Sequence, residues 1–125
     1  MNNKKRVLHY IDKANSYTYE YSQSKKIKDA MTYIDNNTDN RLTLKEISST
    51  VCMAETYFSS IFKKFNGISP CEYITIKRVE KAVDLIKNTS LTKLEIAEQC
   101  GFSSSSNFYK AFFKITGKKL QTMKI

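Results

Sequence analysis

The sequence contains little proline and glycine, the two residues that punctuate most turns and loops. One Pro and three Gly among 125 residues are too few for a loop-rich all-β fold. Hydrophobic residues make up 41% of the chain and aromatic residues 12%, which is enough for a folded core and excludes a disordered polymer. We therefore expect an all-α protein, either one compact unit or two very small units that share a core.

Candidate residues for catalysis and metal binding are also scarce. The cysteines, Cys52, Cys71 and Cys100, form no CxxC pair, and an odd count at wide spacing argues against a zinc site or a disulfide framework. We expect reduced thiols, with Cys52 and Cys100 packed in corresponding turns and Cys71 more exposed. The single histidine, His9, has no accompanying Ser/His/Asp set, phosphate loop or paired carboxylates. The sequence predicts no catalytic residue, metal site or cofactor.

The N-terminal region lacks the features of an export signal. Its basic start, residues 1–6, is followed only by Val7, Leu8 and Ile11 before charged residues return. No run in the sequence approaches membrane-spanning length, so we expect no membrane partner and a cytoplasmic location. We interpret residues 1–24 as an N-terminal extension, or as the remnant of a linker from a larger protein.

Basic residues outnumber acidic ones by 21 to 12, giving a formal net charge of +9. The excess lies mainly in residues 41–125, which carry fourteen basic and seven acidic side chains. Because polyanions bind such a surface with release of condensed counterions, nucleic acid is the favoured partner. A lysine-rich proteome would produce a similar balance, so charge alone leaves both interpretations open.

Hydrophobic spacing and capping residues predict a series of helices. The first helix is expected to begin near Ser24 and to bury one face, formed by Ile27, Ala30, Met31 and Ile34. Later helices begin with the capping-box pattern at three places, Thr43–Glu46, Ser69–Glu72 and Thr92–Glu95. Gly67 and Gly117 are typical helix stop signals.

The sequence contains an internal repeat with an offset of 49 to 50 residues. Segment 42–48 matches segment 91–97, and four later positions recur in order, Phe58, Phe62, Lys64 and Gly67 as Phe108, Phe112, Lys114 and Gly117. Each unit is predicted to be a helix, a tight turn and a second helix, the helix-turn-helix plan whose second helix enters the major groove. We place the first unit at about 43–66, a linker helix at about 70–87 and the second unit at about 93–116.

Helical phase divides the second helix of each unit into two faces. In the first unit the inward face is predicted to hold Tyr57, Phe58, Ile61, Phe62 and Phe65, and the outward face Thr56, Ser59, Ser60 and Lys63. In the second unit the inward residues are Phe108, Ala111, Phe112 and Ile115, and the outward residues Ser106, Tyr109, Lys110 and Phe113. Short hydroxyl side chains allow close approach to base edges, so both outward faces suit the major groove.

Three segments, 57–64, 78–82 and 96–114, resemble the AraC/XylS transcription regulators, and the resemblance extends over about residues 27–124. It implies seven helices, with a long helix joining two helix-turn-helix subdomains that contact successive major grooves on one face of the DNA. It also assigns residues 25–125 to a DNA-binding domain.

By position, the resemblance implies contact residues on both recognition helices, namely Glu55, Thr56, Ser59, Ser60 and Lys63 on the first and Ser105, Ser106, Tyr109 and Lys110 on the second. Lys64 and Lys114 are expected to contact phosphates. Ser60 stands where the family commonly has Arg, Phe113 replaces a usual Lys, and Lys119-Leu120 replaces a Ser-Pro pair. Phe113 is expected to contact thymine methyl groups or, as the preferred interpretation, to cover the closing helix.

The leading hypothesis is a non-enzymatic activator that binds specific double-stranded promoter or operator DNA in the bacterial nucleoid. It is expected to bind as a monomer and to contact RNA polymerase, with no small-molecule ligand in this segment. The alternative is a non-catalytic protein-interaction module, an anti-activator on the same fold, which the absence of Arg at Ser60 favours. Binding to duplex DNA at two salt concentrations distinguishes these hypotheses.

Overall fold

The protein is built from helices, several of which begin after a short hydroxyl side chain. The computed structural model describes the backbone of residues 3–120 and the side chains of residues 19–120. In that range it contains no strand and six helices, α1 Asn3–Asp35, α2 Leu44–Thr50, α3 Glu55–Asn66, α4 Pro70–Asn88, α5 Lys93–Gln99 and α6 Ser105–Thr116. The predicted all-α fold is confirmed. The seventh, closing helix that the resemblance implies would involve residues after 120, so this prediction, with the expected packing of Phe113 on that helix, lies outside the described residues.

Helix starts agree with the predicted capping residues, although two of the three capping boxes are incomplete. The hydroxyls of Thr43, Ser69 and Thr92 each accept a hydrogen bond from the backbone N–H three residues later. In the reciprocal bond the cap N–H donates to the Glu carboxylate, and of the three boxes only that of Thr92 forms it, with Thr92 N 3.3 Å from Glu95 Oε1. The other two carboxylates lie near side chains of other helices: Glu46 lies close to Tyr33 of α1, and Glu72 Oε1 is 4.0 Å from Lys114 Nζ.

The first helix is longer than predicted. We expect a start near Ser24, whereas α1 runs without interruption from Asn3 to Asp35. No Pro or Gly occurs in this segment, so nothing in the backbone forces a break. Its C-terminal part buries Ile27, Ala30 and Ile34 as predicted, while Met31 is only half-buried.

Two hydrophobic clusters form the core, one for each repeat unit. The first contains Ile27, Ala30, Ile34, Ile47, Val51, Phe58, Phe62 and Ile74. The second contains Val79, Ala82, Ile86, Ile96, Ala97, Cys100, Phe108, Phe112 and Leu120. Helix α4 contributes to both, through Ile74 near its start and Val79 onward near its end. The linker helix is therefore part of each unit and not a free-standing rod between them.

The turns of the two units differ at their cysteines, and one prediction is wrong here. We expect Cys52 and Cys100 to pack in equivalent positions, but Cys100 is fully buried and Cys52 is exposed. The repeat offset of 49 aligns Val51 with Cys100 and Cys52 with Gly101, and Val51 is indeed the buried residue of its turn. Cys52 has φ 57°, the same left-handed conformation that Gly101 adopts at φ 86°.

Candidate nucleic-acid interface

Helix α3, the second helix of the first unit, has a buried face and an exposed face. Phe58 and Phe62 are fully buried, with ring centroids 5.7 Å apart, and anchor the helix to the first core. The predicted contact residues all lie away from that core: Ser59 is half-buried, and the exposed ones are Glu55, Thr56, Ser60, Lys63 and Lys64. They form one polar stripe along the outer side of α3.

The structure corrects the predicted inward position of Tyr57 and Phe65, which are 41% and 40% exposed. The Tyr57 hydroxyl forms a 2.5 Å hydrogen bond with the Tyr19 hydroxyl and accepts another from Gln23 Nε2. The bond to Tyr57 raises the pKa of Tyr19. Tyr57 thus faces α1, a contact that could not be foreseen because the helix was not expected to extend so far. The Phe65 ring instead carries Lys64 Nζ, 5.8 Å from its centroid.

Helix α6 repeats this two-faced arrangement in the second unit. Phe108 and Phe112 are fully buried, with ring centroids 5.9 Å apart, and Ala111 and Ile115 are half-buried on the same side. Ser105 is half-buried, and the exposed outer face carries Ser106, Tyr109, Lys110, Phe113 and Lys114. The predicted division of α6 into inward and outward residues is confirmed.

Lysine side chains supply the positive charge of both stripes. Lys63 and Lys64 lie in the last turn of α3, and Lys110 and Lys114 lie one turn apart on α6. Lys114 Nζ is 4.0 Å from Glu72 Oε1, but the two side chains are 70% and 40% exposed. An ion pair so open to solvent contributes little free energy, so Lys114 remains available to another anion.

Between the two units lies a cleft of about 880 Å³ whose lining includes Arg41, Arg78, Gly101 and Asn107. Arg78, one of the lining residues, is held in place because its Nε donates to the carbonyl oxygen of Thr38 at 2.9 Å. Burial lowers the pKa of this guanidinium. Sequence reasoning placed Arg78 only within the linker-helix motif and assigned no role to Arg41 or Asn107. Arg41, Arg78 and Asn107 line one cleft only because three segments that are distant in sequence pack together.

The chemistry available on this surface is that of binding. It offers hydroxyls, ammonium groups and aromatic rings on two similar helices, which suits contacts to phosphates and base edges. The described residues contain no group of three or more side chains that could hold a metal ion. Within the same range, every helix is too short or too polar to span a bilayer.

A family model described as "Helix-turn-helix domain" matches residues 47–124 of this chain. The TetD protein of transposon Tn10 from Escherichia coli is 33% identical over 114 residues, which cover 86% of this chain and 83% of TetD. The "Probable transcriptional regulator LumQ" of Photobacterium leiognathi is 34% identical over 85 residues, covering 68% of this chain and 34% of LumQ. The chain thus spans most of TetD but about a third of LumQ.

Among solved structures, the C-terminal domain of AraT, a response regulator from Geobacillus stearothermophilus, has a similar fold. It aligns with a TM-score of 0.74 at 30% identity, covering 80% of this chain and 87% of that one. The repeated units, the helical architecture and these similarities agree with the resemblance found in the sequence. The chain belongs to the AraC-type family of DNA-binding transcription regulators.

Proposed function

We propose that this chain binds specific sequences in double-stranded DNA and activates transcription, with α3 and α6 inserted in successive major grooves. The observation that carries the proposal is the matching pair of exposed polar stripes, each held in place by two fully buried phenylalanines. A polar stripe on one helix is usually only a solvated surface. Its repetition on the second helix of two helix-turn-helix units is what DNA recognition requires.

In the first unit, we assign base contacts to Glu55, Thr56, Ser59, Ser60 and Lys63, and a phosphate contact to Lys64. Short hydroxyls bring the α3 backbone close to the groove and both donate and accept hydrogen bonds there. The Glu55 carboxylate accepts from a cytosine amino group, the base-edge donor that suits an anion. Ser60 cannot form the bidentate guanine contact that an arginine would make, so the first unit lacks that contact at this position.

In the second unit, we assign base contacts to Ser105, Ser106, Tyr109 and Lys110, and a phosphate contact to Lys114. Lys110 lies on the outer stripe between Ser106 and Phe113, so its ammonium group suits a purine acceptor. Lys114 lies one turn further on, beside Glu72 of α4. Contact with a phosphate would replace that weak pair at small cost.

The two units on one chain support binding as a monomer to an asymmetric site. The proposed activator role implies RNA polymerase as the protein partner. Helix α4 has 19 residues and is therefore about 28 Å long at 1.5 Å per residue. Major grooves on one face of B-DNA repeat about every 34 Å. With the widths of the units added, α4 gives α3 and α6 a separation that suits successive major grooves. The proposed target is chromosomal DNA in the cytoplasm.

Titration of fluorescent duplex DNA at two salt concentrations tests the proposal. A regulator that neutralises several phosphates loses affinity steeply as salt rises, and a site selected from random DNA should bind at least about a thousandfold more tightly than an arbitrary duplex. Lys63→Ala and Lys110→Ala should weaken binding to that site, whereas Lys87→Ala, an exposed lysine at the end of α4, should have little effect. Failure to bind any duplex at low salt would contradict the proposal.

The second candidate function is an anti-activator that binds a partner protein through the same fold. Ser60 favours it, because an exposed hydroxyl replaces the arginine that commonly contacts bases in the family. This candidate predicts weak, sequence-independent DNA binding, and a protein partner whose binding is lost in the Tyr109→Ala variant. The duplex titration therefore separates the two functions directly.

A further inference from the structure

Two aromatic rings lie one helical turn apart on the outer face of α6. Tyr109 is 42% exposed and Phe113 is 53% exposed. Residues four apart are neighbours on a helix surface, so the two rings form one apolar patch. The repeat places Ser59 and Lys63 at the equivalent positions of α3, so only the second recognition helix carries this patch.

An exposed ring on an ordinary surface needs no explanation, but this patch has two positive charges beside it on the same helix. Lys110 follows Tyr109 in sequence, Lys114 follows Phe113, and both lysines are exposed. A ligand for this surface must therefore combine negative charge with an apolar group. In the major groove, thymine offers that combination, because its C5 methyl group is the apolar group presented there beside the phosphates.

We propose that Tyr109 and Phe113 contact the C5 methyl groups of thymines in the second half-site. Their Cα atoms are separated by four residues, or about 6 Å along the helix axis. Stacked base pairs in one strand are about 3.4 Å apart. The two contacts therefore fall about two base-pair steps apart, and the second half-site carries thymine at two nearby positions.

Contacts within the second unit support the Tyr109 ring and the backbone at Phe113. The Tyr109 ring packs on the fully buried Phe108, with ring centroids 5.8 Å apart. The carbonyl of Phe113 accepts the N–H of Gly117 at 2.8 Å, which fixes the last turn of α6. Because the Tyr109 ring is already packed before DNA binds, it loses little conformational entropy on binding, and more of the free energy of its methyl contact appears as affinity.

The proposal rests on the proposed function, and base analogues test it separately. A site is first selected from random DNA with the wild-type protein, and each thymine of the second half-site is then replaced by deoxyuridine, which pairs identically but lacks the methyl group. Wild-type affinity should fall about fourfold for each contacted methyl. Phe113→Ala should bind the thymine site more weakly and lose the response to deoxyuridine at one position, and Tyr109→Ala should do so at the other.

Phe65→Ala is the matched control, because Phe65 is a similarly exposed phenylalanine of α3. It should keep the full deoxyuridine response, and Phe113→Leu, which retains an apolar side chain, should keep part of it. The proposal is overturned if wild-type affinity is equal for thymine and deoxyuridine at every position, or if Phe113→Ala responds as the wild type does. Absence of binding to any duplex at low salt would instead overturn the proposed function and this inference together.

Discussion

The Nε atom of Arg78 lies 2.9 Å from the carbonyl oxygen of Thr38, and this hydrogen bond joins helix α4 to the loop after α1. Arg78 Nη2 also donates to the Asn40 carbonyl at 3.0 Å. A Cβ atom placed on Gly101 would lie 3.1 Å from Arg78 Nε and 2.4 Å from the Thr38 oxygen. The loop after α1, helix α4 and the turn after α5 therefore meet at one junction, and we expect this junction to hold the angle between α3 and α6.

Arg78→Met should loosen that angle while leaving both hydrophobic cores intact. Loss of charged hydrogen bonds to two carbonyls should reduce the free energy of unfolding by about 1.5–3 kcal/mol. Insertion of one base pair between the half-sites moves the second by about 3.4 Å and rotates it by about 35°. The wild type should discriminate strongly against the longer site, and Arg78→Met much less, in a duplex titration.

Lys87→Met provides the control for charge, because it removes a cation from the exposed end of the same helix. It should preserve both stability and the preference for the original spacing. If wild type and Arg78→Met discriminated equally against the longer site, the hydrogen bonds of Arg78 would not set the spacing of the two recognition helices.

Gly101→Ala and Gly67→Ala should differ strongly, although both glycines have positive φ, at 86° and 76°. At Gly67 no atom lies within 4 Å of an added Cβ, so only the backbone strain of about 1–2 kcal/mol is expected. At Gly101 the added atom would overlap the Thr38 carbonyl, and the total loss should be about 2–5 kcal/mol. Urea denaturation measures the loss of unfolding free energy in both variants. Equal losses would show that the Thr38 carbonyl moves away from the added Cβ at little cost.

Local rules in the sequence predicted much of this fold. Helical periodicity predicts the buried pair Phe58 and Phe62, and likewise Phe108 and Phe112. The hydroxyl caps are predictable because the free N–H groups at a helix start require hydrogen-bond acceptors. These signals depend on residues within one or two turns of each other. The outer stripe of α6 was predictable for the same reason.

Features that depend on distant segments were not predictable in this way. Tyr57 faces α1 because its hydroxyl bonds to Gln23 and Tyr19, and no pattern within α3 indicates that contact. Burial and the nearby carboxylate of Glu46 raise the pKa of Tyr33, a residue of another helix. The role of Arg78 depends on a carbonyl forty residues away. Each is a tertiary interaction between segments whose relative placement the sequence pattern does not encode.

Thiol reactivity should separate the three cysteines. Cys100 is fully buried, and burial raises the pKa of its thiol despite the opposing effect of Lys81, so little reactive thiolate forms. Cys52 and Cys71 are exposed. A disulfide-exchange reagent at neutral pH should label two thiols rapidly in the native protein and a third only in denaturant. The Cys52→Ser/Cys71→Ser variant should show no rapid phase, and rapid labelling of Cys100 would contradict its burial.

Lys110→Ala and Lys114→Ala each remove one positive charge from α6, so any difference between them reflects position. Lys110 lies on the outer stripe, and its loss should relax preference at one or two base positions, at a cost of about 1–3 kcal/mol on the best site. Lys114 lies beside Glu72 in the last turn, and its loss should weaken all duplexes alike.

The two variants are compared by sequencing the DNA each retains from a random library and by measuring affinity over a range of salt concentrations. Lys114→Ala should keep the wild-type preference and reduce the slope of log affinity against log salt by about 1, since one phosphate contact is lost. Lys110→Ala should change the preference itself, because an ammonium group that donates to a purine acceptor distinguishes base pairs, whereas a phosphate contact does not. If Lys110→Ala retained the wild-type preference, Lys110 would contact the DNA backbone, and base recognition by the second unit would have to come from the other residues assigned to it.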